Sequence, residues 1–519
     1  MMARHGMRGV VVCLAFWGWV GLGLNAAELA NPGFEAGSAT EVSGWSVPPY
    51  WSGSMAPTAV PEERHAGRRG LRLAAAEKAG QWWGRVLGTP QATASLGQPN
   101  RFSVWAKGQG SLRLGVIRYR QPPPGETPYV YLWQEPVVPL TADWQLVSFD
   151  FTIAEPEFTK LAFCIEVQGV DAVAFLDDVS VASLVPPGVT LAVRPSHPML
   201  AAGTPCELRV RLSGTAPEGP VRVYAFPPAG ETQRQEAALD AAGEAVVRLP
   251  TDAAATGLWR LLATHPGSGA VGEVWADVLP ADDYAAFERA AAGMRLPEGR
   301  LHLLVLGDSL SDFSRGSNYV DKLAVWLDRL GGSRCTVRNA GVGGDDITRV
   351  WARLNGEPKT HRLAMYDGLL EPMPTHILIF LGHNDSKVSS GSEYQKTAVA
   401  PEVFASTYRQ VLDKLKADTG AALIVLSSSS SSYEITSANA ERSRAAGRAH
   451  SLFGKPELME QFNDLTQAAA TAAGAAYLDL YTPMRAVPDK DRLVTADGVH
   501  LSAEGHRYVA RFLLERLFR

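Results

Sequence analysis

The chain has 519 residues, a formal net charge of −5, 46% hydrophobic residues and 20% charged residues. This length is too great for one hydrophobic core and indicates about three domains. The ordinary apolar content excludes a disordered chain, and a negative charge without a basic stripe argues against a nucleic-acid partner.

Residues 1–27 have the pattern of a secretory signal peptide. Arg4 and Arg8 give a basic start, residues 10–24 are an apolar run, and the small residues at 25–27 offer a cleavage site. A membrane anchor is the alternative, but the run is short for a bilayer span and contains glycines. We expect an exported protein, periplasmic or extracellular, with no membrane span in the mature chain.

Residues 28–185 show a β pattern throughout, with clusters of Gly, Pro and Asp between short alternating segments. This spacing is typical of an antiparallel sandwich. The predicted strands include residues 101–105, 112–119, 144–153, 161–167 and 173–181. The three cysteines of the mature chain lie far apart and indicate neither a disulfide framework nor a zinc site; they are Cys164, Cys206 and Cys335.

Tryptophan is concentrated in this first region. Aromatic faces suit stacking on sugar rings, but tryptophans also fill sandwich cores. We expect Trp105 and Trp144, which lie inside alternating strands, to belong to the core. For the aromatic residues near turn signals, a core role and a binding role both stay open; these are Tyr50, Trp51, Trp82 and Trp83.

The two ends of the region carry a recognisable pattern. The sequence reads Asn-Pro-Gly-Phe-Glu at 31–35 and Leu-Asp-Asp-Val at 176–179. These motifs resemble galactose-binding-type jelly rolls, a group that includes many carbohydrate-binding modules. In that group the two ends meet around a structural calcium ion. The resemblance implies calcium ligands that include Glu35 and Asp178, whose carboxylates suit a hard cation.

Residues 186–280 begin with a Pro-Pro-Gly linker and form a second β region. Its candidate strands have the spacing and size of an immunoglobulin-like sandwich. They are residues 189–193, 206–212, 221–226, 245–249, 258–264 and 271–278. The region shows no chemical constellation, and a spacer is the only role that its sequence suggests.

Residues 281–519 alternate between strands and helices. Five candidate strands with intervening helices predict a parallel sheet covered on both faces. The strands are residues 301–306, 335–338, 376–381, 422–426 and 476–478, and the helices include 282–294, 320–330, 401–416, 456–473 and 503–518. We interpret six consecutive serines at 427–432 as part of a flexible loop beside the same sheet edge as Ser309.

Four short motifs follow strands or precede the last helix in this region. They are Gly-Asp-Ser-Leu at 307–310, Asn-Ala-Gly-Val-Gly-Gly-Asp at 339–345, Gly-His-Asn-Asp at 382–385 and Asp-Gly-Val-His-Leu-Ser at 497–502. Loops at one edge of a parallel sheet lie close together, in the crevice where open α/β sheets bind ligands. The motifs therefore gather a hydroxyl, a glycine backbone, a carboxamide, a carboxylate and an imidazole.

These groups are the ones that acyl transfer needs. Ser309 would attack a carbonyl once His500 takes its proton, and Asp497 would orient the imidazole. The oxyanion that forms needs preorganised donors. The candidates are the backbone N–H groups of Ser309 and Gly344 and the side-chain amide of Asn384.

Each motif alone has an ordinary alternative. Ser309 and Asp497 could cap helices. The glycines at 341–344 could form a phosphate loop, although the usual pattern is missing. His500 and His506 could bind a metal, although their spacing is poor for ligands. The occurrence of all four motifs in order favours the catalytic interpretation.

On these motifs, residues from about 301 to 519 resemble SGNH hydrolases of the GDSL esterase and lipase group. Ser309, Gly344, Asn384 and His500 match the residues that name this family, and Asp497 completes its triad. The resemblance implies a three-layer, flavodoxin-like α/β fold and ester hydrolysis through an acyl-serine, without a metal or organic cofactor. The extra glycines of the second motif leave open that Gly341 or Gly343 shares the oxyanion role.

The complete constellation, joined to a tryptophan-rich sandwich, predicts a secreted carbohydrate O-acetylesterase acting on an acylated polysaccharide. The form of the third motif resembles that of family members that deacetylate plant polysaccharides. One alternative is a lipase or thioesterase for longer acyl chains, which would need a broad apolar groove beside Ser309. The other is a catalytically inactive surface protein that binds glycans.

Overall fold

The computed structural model describes residues 29–519, apart from residues 30, 49–50, 52–54, 89–91, 94–96, 121–126, 154, 156–157, 159 and 216–217. The predicted signal peptide at 1–27 and Tyr50 lie outside the described residues. Two all-β domains precede a C-terminal α/β domain, as the sequence predicts. Among the described residues, no helix is long and apolar enough to cross a bilayer.

The N-terminal domain is an antiparallel β-sandwich. Its strands are β1 (Trp45–Ser46), β2 (Thr58–Val60), β3 (Gly70–Ala74), β4 (Ala76–Lys78), β5 (Gln81–Gly88), β6 (Ala92–Thr93), β7 (Pro99–Tyr119), β8 (Tyr129–Trp133), β9 (Val138–Pro139), β10 (Gln145–Thr152) and β11 (Lys160–Ser183). Alternating apolar side chains of the long strands are fully buried in its core, among them Val104, Leu114 and Ile165. This period of two is why these segments form strands with one buried face.

The two long strands each join segments that the sequence separates. Residues 101–105 and 112–119 belong to one strand, β7, and residues 161–167 and 173–181 belong to one strand, β11. Gly108 adopts a φ of 138° between two of these segments, yet the antiparallel pairing of β7 with β11 continues past it with a register shift. Turn-forming residues therefore mark bulges here and not strand ends.

The middle domain is a two-sheet sandwich. Its strands are β12 (Thr190–Pro195), β13 (Met199–Ala201), β14 (Cys206–Ser213), β15 (Val221–Phe226), β16 (Gln233–Ala237), β17 (Glu244–Leu249), β18 (Gly257–His265) and β19 (Ala270–Leu279). Sheet β12–β14–β17 packs against sheet β13–β19–β18–β15–β16. All of these pairs are antiparallel except β13 with β19. The fully buried Trp259 fills the core between the sheets.

The C-terminal domain alternates strands and helices. Its elements are α1 (Ala281–Ala292), β20 (Leu301–Gly307), α2 (Ser309–Asp312), α3 (Tyr319–Gly331), β21 (Cys335–Asn339), α4 (Ile347–Leu354), β22 (His376–Phe380), β23 (Val388–Ser389), α5 (Pro401–Thr419), β24 (Ala422–Leu426), α6 (Tyr433–Ala445), β25 (Ser451–Leu452), α7 (Pro456–Ala473), β26 (Ala476–Leu478), α8 (Tyr481–Arg485) and α9 (Ala503–Arg516). Its parallel sheet has the order β21–β20–β22–β24–β26, which is the flavodoxin-like order.

The apolar run of β20 explains why helices cover both faces of this sheet. Leu303 and Val305 pack in the cluster that includes α1, α3 and α9, whereas Leu304 and Leu306 pack in the cluster that includes α4, α5 and α7. A strand buried on both faces needs apolar residues at successive positions. The result is a three-layer domain with the carboxyl ends of its strands along one edge.

The middle domain is joined to the C-terminal domain by a buried ion cluster. Asp277, at the end of β19, contacts Lys322 Nζ of α3 at 2.9 Å and Arg507 Nε of α9 at 2.9 Å. Met199 and Leu279 of the middle domain also belong to a core cluster of the C-terminal domain. The middle domain is therefore packed as part of the same scaffold as the C-terminal domain, beyond the spacer role that its sequence suggests.

Candidate active site

Ser309 lies at the carboxyl end of β20 and begins the short helix α2. Asp308 caps this turn, since its Oδ1 accepts the N–H of Leu310 at 2.9 Å. A Cβ at Gly307 would overlap the Ser311 hydroxyl, so glycine is required before the cap. The local sequence thus produces the sharp strand-to-helix turn that carries Ser309.

His500 reaches Ser309 from the loop that precedes α9. Its Nε2 lies 3.0 Å from Ser309 Oγ, and its Nδ1 lies 2.6 Å from Asp497 Oδ2. Asp497 is held in turn, because its Oδ1 accepts the N–H groups of Val499 and His500 and the hydroxyl of Thr495. The serine, imidazole and carboxylate named from the sequence therefore lie in one hydrogen-bonded series.

The Asp497 carboxyl is ionised at neutral pH. Burial alone would raise its pKa, but hydrogen bonds from the His500 ring and from neighbouring N–H groups lower the pKa to about 2. A carboxylate on Nδ1 selects the histidine tautomer whose Nε2 can accept a proton. The arrangement can therefore place a general base on the Ser309 hydroxyl.

Two backbone N–H groups near Ser309 are available as donors. Within the described part of the chain, the N–H groups of Ser309 and Gly344 have no acceptor. Gly344 has a φ of 81°, a conformation that favours glycine. In contrast, the N–H of Gly343 donates to Asp312 Oδ2 and that of Gly341 to Asn339 Oδ1. The N–H groups of the extra glycines are thus hydrogen-bonded, and Gly344 is the glycine of this motif whose N–H has no acceptor in the described part of the chain.

Asn384 lies beside Ser309 but its amide is not free. Its Nδ2 donates to the Asp345 carbonyl oxygen at 3.0 Å and to Asp308 Oδ2 at 3.3 Å, and its Oδ1 accepts from Lys387 Nζ at 3.2 Å. An oxyanion would therefore share or replace one of these acceptors. The contact with Asp308 is the longer one and hence the easier one to exchange.

Buried carboxyls surround the Asn384 amide. Burial raises the pKa of Asp308 to about 7 and that of Asp385 to about 8. Asp385 Oδ1 accepts the N–H of Ile347 at 2.8 Å, whereas no partner contacts its Oδ2 among the described residues. The third carboxyl, Asp345, is paired with Arg353. Near neutral pH, Asp385 is therefore largely protonated and Asp308 is partly protonated.

Phe313 is a site residue that the sequence motifs do not indicate. It ends the turn that begins at Ser309, and its ring centroid lies 4.7 Å from that of His500. Its side chain is exposed, unlike most large apolar side chains of the domain. The sequence signal that could have identified it is its position four residues after Ser309 on a loop at the active edge.

The six-serine run at 427–432 is not the flexible loop that we expected. All six serines are buried. Ser427 Oγ accepts the N–H of Leu480 at 2.8 Å, and Ser431 Oγ contacts His383 Nε2 at 3.0 Å. Small hydroxyl side chains fit here because they satisfy neighbouring polar groups inside the domain. The run packs behind the active edge and supports His383, whose pKa is lowered to about 3 by burial.

His506 does not form a metal site with His500. It is buried, and its Nδ1 accepts the N–H of Tyr319 at 3.3 Å. Burial lowers its pKa to about 3. Across the described residues, no group of three or more potential ligands lies close enough to hold a metal ion.

An open cleft of about 830 Å³ lies beside the Gly343-Gly344 loop. Trp351 supplies an aromatic wall, and the other walls are mostly polar or charged. The polar lining includes Thr348, Arg349, Glu357, Lys359, Thr360 and His361. An aromatic plane among hydrogen-bonding groups suits a sugar better than a long hydrocarbon chain.

A second candidate surface lies on the N-terminal sandwich. We call it the aromatic face, and its members are the half-buried Trp83, Tyr129, Tyr131 and Trp133, which pack with the buried Trp51. These rings cover the side of the sheet opposite the sandwich core, since Leu132 between two of them packs toward the core. Tyr131 and Trp133 are stacked with centroids 5.2 Å apart.

A buried ion cluster supports the aromatic face. Glu166 is fully buried and accepts from Arg85 and Arg113. The Arg85 guanidinium lies 4.6 Å from the centre of the Trp83 ring, and that of Arg113 lies 4.2 Å from Trp133. Cation–π contacts of this kind hold the rings in place.

The positions of other tryptophans of the domain, inside or outside the core, differ from our expectation. Trp105 and Trp144, expected in the core, are only half-buried and lie outside the core cluster. His65 stacks on Trp105 with centroids 4.0 Å apart. Trp82, in contrast, packs against the sandwich core. The strand faces alternate, so neighbours in sequence such as Trp82 and Trp83 lie on opposite sides.

The predicted calcium ligands are occupied by protein groups. Glu35 Oε1 accepts the N–H of Arg68 at 2.6 Å, and Asp178 Oδ2 contacts His65 Nδ1 at 2.8 Å. The Arg68 guanidinium also contacts Glu35. The two carboxylates lie near Gly33, so the ends of the domain do meet. A calcium ion at this place would have to displace the side chains of Arg68 and His65 from the two carboxylates.

The fold, the Ser309–His500–Asp497 geometry and the available backbone donors define an ester hydrolase of the serine type. Residues 305–508 match the sequence model of the family described as GDSL-like Lipase/Acylhydrolase. The C-terminal domain is thus a GDSL-like lipase/acylhydrolase domain, and the chain is an ester hydrolase.

Similar solved structures fall on two parts of the chain. A lipase/acylhydrolase from Enterococcus faecalis is 18% identical with a TM-score of 0.31, covering 42% of this chain and 95% of that chain. A catalytic mutant of an acetylxylan esterase from Geobacillus stearothermophilus is 17% identical with a TM-score of 0.32, covering 43% and 98%. A xylan-binding domain from Paenibacillus barcinonensis is 15% identical with a TM-score of 0.22, covering 29% and 90%. Curated protein sequences gave no match.

Proposed function

We propose that the protein is a secreted carbohydrate O-acetylesterase that removes acetyl groups from a polysaccharide. The observation that carries this proposal is the hydrogen-bonded series Ser309–His500–Asp497. The series supplies the nucleophile and its base, and the polar cleft beside the Gly343-Gly344 loop supplies room for a sugar. Neither part requires a cofactor.

The reaction begins with attack by Ser309 Oγ on the acetyl carbonyl carbon. His500 Nε2 takes the hydroxyl proton, and the carbonyl oxygen becomes the oxyanion. When the tetrahedral intermediate collapses, the bond to the sugar oxygen breaks and His500 returns the proton to that oxygen. Acetyl-Ser309 remains. A water molecule, deprotonated by His500, then releases acetate and restores the serine.

The oxyanion is stabilised by the N–H groups of Ser309 and Gly344 and by the Asn384 amide. Two of these donors have no competing acceptor in the described part of the chain, so they are available without rearrangement. Preorganised donors of this kind stabilise the transition state more than the substrate. The Asn384 amide exchanges its long contact with Asp308 for the oxyanion.

The lining of the site favours a short acyl group. A lipase or long-chain thioesterase needs a broad apolar groove beside Ser309. Phe313 contacts the triad histidine, but the adjoining cleft is lined by Trp351 and polar or charged groups. A sugar is therefore the better fit for the cleft, with the small acetyl group at the serine. A series of p-nitrophenyl esters of increasing chain length should show the highest kcat/KM for acetate.

The aromatic face is proposed to bind the same polysaccharide. Exposed parts of the Tyr131 and Trp133 rings can stack on sugar rings, and the Arg85 and Arg113 guanidiniums hold these rings in place. Even weak binding at this surface raises the effective concentration of ester groups near Ser309. Export, proposed from the sequence of residues 1–27, would bring the enzyme to an extracellular or periplasmic polymer.

The direct test compares Ser309→Ala with Ser311→Ala on acetylated xylan and p-nitrophenyl acetate. Ser311 is a matched control because it is buried on the same turn and its hydroxyl contacts Tyr319 Oη at 2.7 Å. We expect Ser309→Ala to lose at least about 10³-fold in kcat and Ser311→Ala to retain measurable turnover. Wild-type turnover by folded Ser309→Ala would overturn the assignment of the nucleophile.

A further inference from the structure

Two cationic side chains donate hydrogen bonds to oxygen atoms of the residues that supply proposed oxyanion donors. Arg349 Nη1 donates to the carbonyl oxygen of Gly344 at 3.0 Å, and Lys387 Nζ donates to Asn384 Oδ1 at 3.2 Å. Each cation thus binds an acceptor atom of a residue whose N–H is a proposed oxyanion donor. Neither cation belongs to the four sequence motifs that identify the site.

The two cations differ in how their charge is balanced. Arg349 Nε lies 3.6 Å from Asp346 Oδ2. Lys387 forms no ion pair with a carboxylate in the described part of the chain, and its hydrogen bond goes to Asn384. Its side chain is half-buried, and its Nζ lies 5.4 Å from the centre of the Phe453 ring. Partial burial of an ammonium group without a counter-ion costs folding free energy. The position of Lys387 beside Asn384 therefore indicates a role other than stability.

The charged groups around Lys387 do not cancel its charge. Those that face it are Arg349, Asp346, Asp308, Asp385 and His383. Burial raises the pKa of Asp308 to about 7 and that of Asp385 to about 8. Near neutral pH, Asp308 is therefore partly protonated and Asp385 largely protonated. Burial, and then Arg349, lowers the pKa of Lys387 itself. These carboxyls therefore offset the positive charge behind Asn384 only in part.

We propose that Lys387 is a positioning residue of the oxyanion hole, which fixes the Asn384 amide through Oδ1 and places a positive charge behind it. The inference rests on the proposed serine-esterase mechanism. A charged donor on Oδ1 orients the amide and polarises it, which strengthens its N–H groups as donors. Because negative charge develops on the substrate only in the transition state, this contribution should appear in kcat more than in KM.

The test compares Lys387→Met and Lys387→Arg with Lys396→Met on p-nitrophenyl acetate. Lys396 is an exposed lysine on the following loop and serves as the matched control. We expect Lys387→Met to lower kcat roughly 10- to 100-fold while KM stays within about twofold. Lys387→Arg should recover most of this loss, and Lys396→Met should match the wild-type enzyme.

The pH profile separates this role from simple packing. Activity requires protonated Lys387, so the wild-type kcat should fall at alkaline pH, at a pKa below that of an ordinary lysine. Lys387→Arg should move this fall to higher pH because a guanidinium keeps its proton. Lys387→Met should lose it. A persistent alkaline fall at the same pH in the folded methionine variant would contradict the proposal.

The outcomes distinguish this inference from the function on which it rests. If the wild-type protein hydrolyses no ester and Ser309 is not acylated, the proposed function fails and this inference fails with it. If the wild-type enzyme is active but folded Lys387→Met retains wild-type kcat, or changes only KM, the inference alone is wrong. Thermal melting and fluorophosphonate labelling of each variant establish folding, and Lys387→Gln provides a second neutral variant.

Discussion

His500 Nε2 lies 3.0 Å from Ser309 Oγ across 191 positions of sequence. The two residues meet because β20 ends at one edge of the parallel sheet and the loop before α9 returns to that edge. The parallel sheet thus converts four distant motifs into one site. The middle domain packs against the same scaffold through Asp277, and the contribution of this contact to stability can be measured.

Asp277→Ala should destabilise the protein by about 3–5 kcal/mol. The substitution leaves the buried Lys322 ammonium without its carboxylate and removes the contact with Arg507. Asp413→Ala is the control, because Asp413 pairs with Arg409 on an exposed helix face and should cost less than about 1 kcal/mol. Urea unfolding of both variants measures the difference. Equal small effects would show that the junction does not depend on this cluster.

Asp385→Asn should make stability less dependent on pH. Burial raises the Asp385 pKa to about 8, so its contribution to stability is full below its ordinary pKa and is lost as pH rises through about 8. The asparagine variant cannot ionise. Its free energy of unfolding, relative to wild type, should increase by roughly 1 to 3 kcal/mol between pH 5 and pH 8. Parallel stability curves over this range would contradict the assignment.

Removal of calcium should not change the melting temperature. Glu35 and Asp178 contact Arg68 and His65 within the protein, and we expect these contacts to hold the two ends of the domain together without an ion. Thermal melting with and without excess EDTA should agree within about 1 °C. A fall of several degrees that added calcium reverses would instead support the ligands implied by the sequence resemblance.

Trp133→Ala should weaken polysaccharide binding by about tenfold. The measurement is affinity electrophoresis of the full chain in gels that contain acetylated xylan, with Ser309→Ala in every variant to prevent turnover. Trp144→Ala is the matched control, since Trp144 lies outside the aromatic face, near Lys107. Equal retardation of both variants would remove the aromatic face from the binding surface.

The sequence predicted the fold because its elements depend on local signals. The apolar run of β20 and the turn motif at Gly307 specify a buried strand followed by a sharp turn. The strands at 422–426 and 476–478 and the helix at 456–473 have the predicted bounds. Proline at the start of α7 and Gly474 after its end are signals that are read directly from the sequence.

The sequence could not predict contacts that depend on tertiary packing. Lys387 and Phe313 belong to no periodic pattern, and their roles follow from the loops that surround them. The six serines at 427–432 suggested a flexible loop because composition does not reveal that they are buried or that several of their hydroxyls have partners inside the domain. Trp105 lies between the buried Val104 and Ala106 and so faces away from the core, and Trp144 precedes β10 and lies outside the strand.

The most direct test of the central claim is intact-protein mass spectrometry with a fluorophosphonate probe, followed by peptide mapping. The account predicts one covalent adduct per chain, on Ser309, and strongly slowed labelling in His500→Ala because the hydroxyl loses its base. Folded wild-type protein that remains unlabelled, or that carries the adduct on another residue, would contradict it.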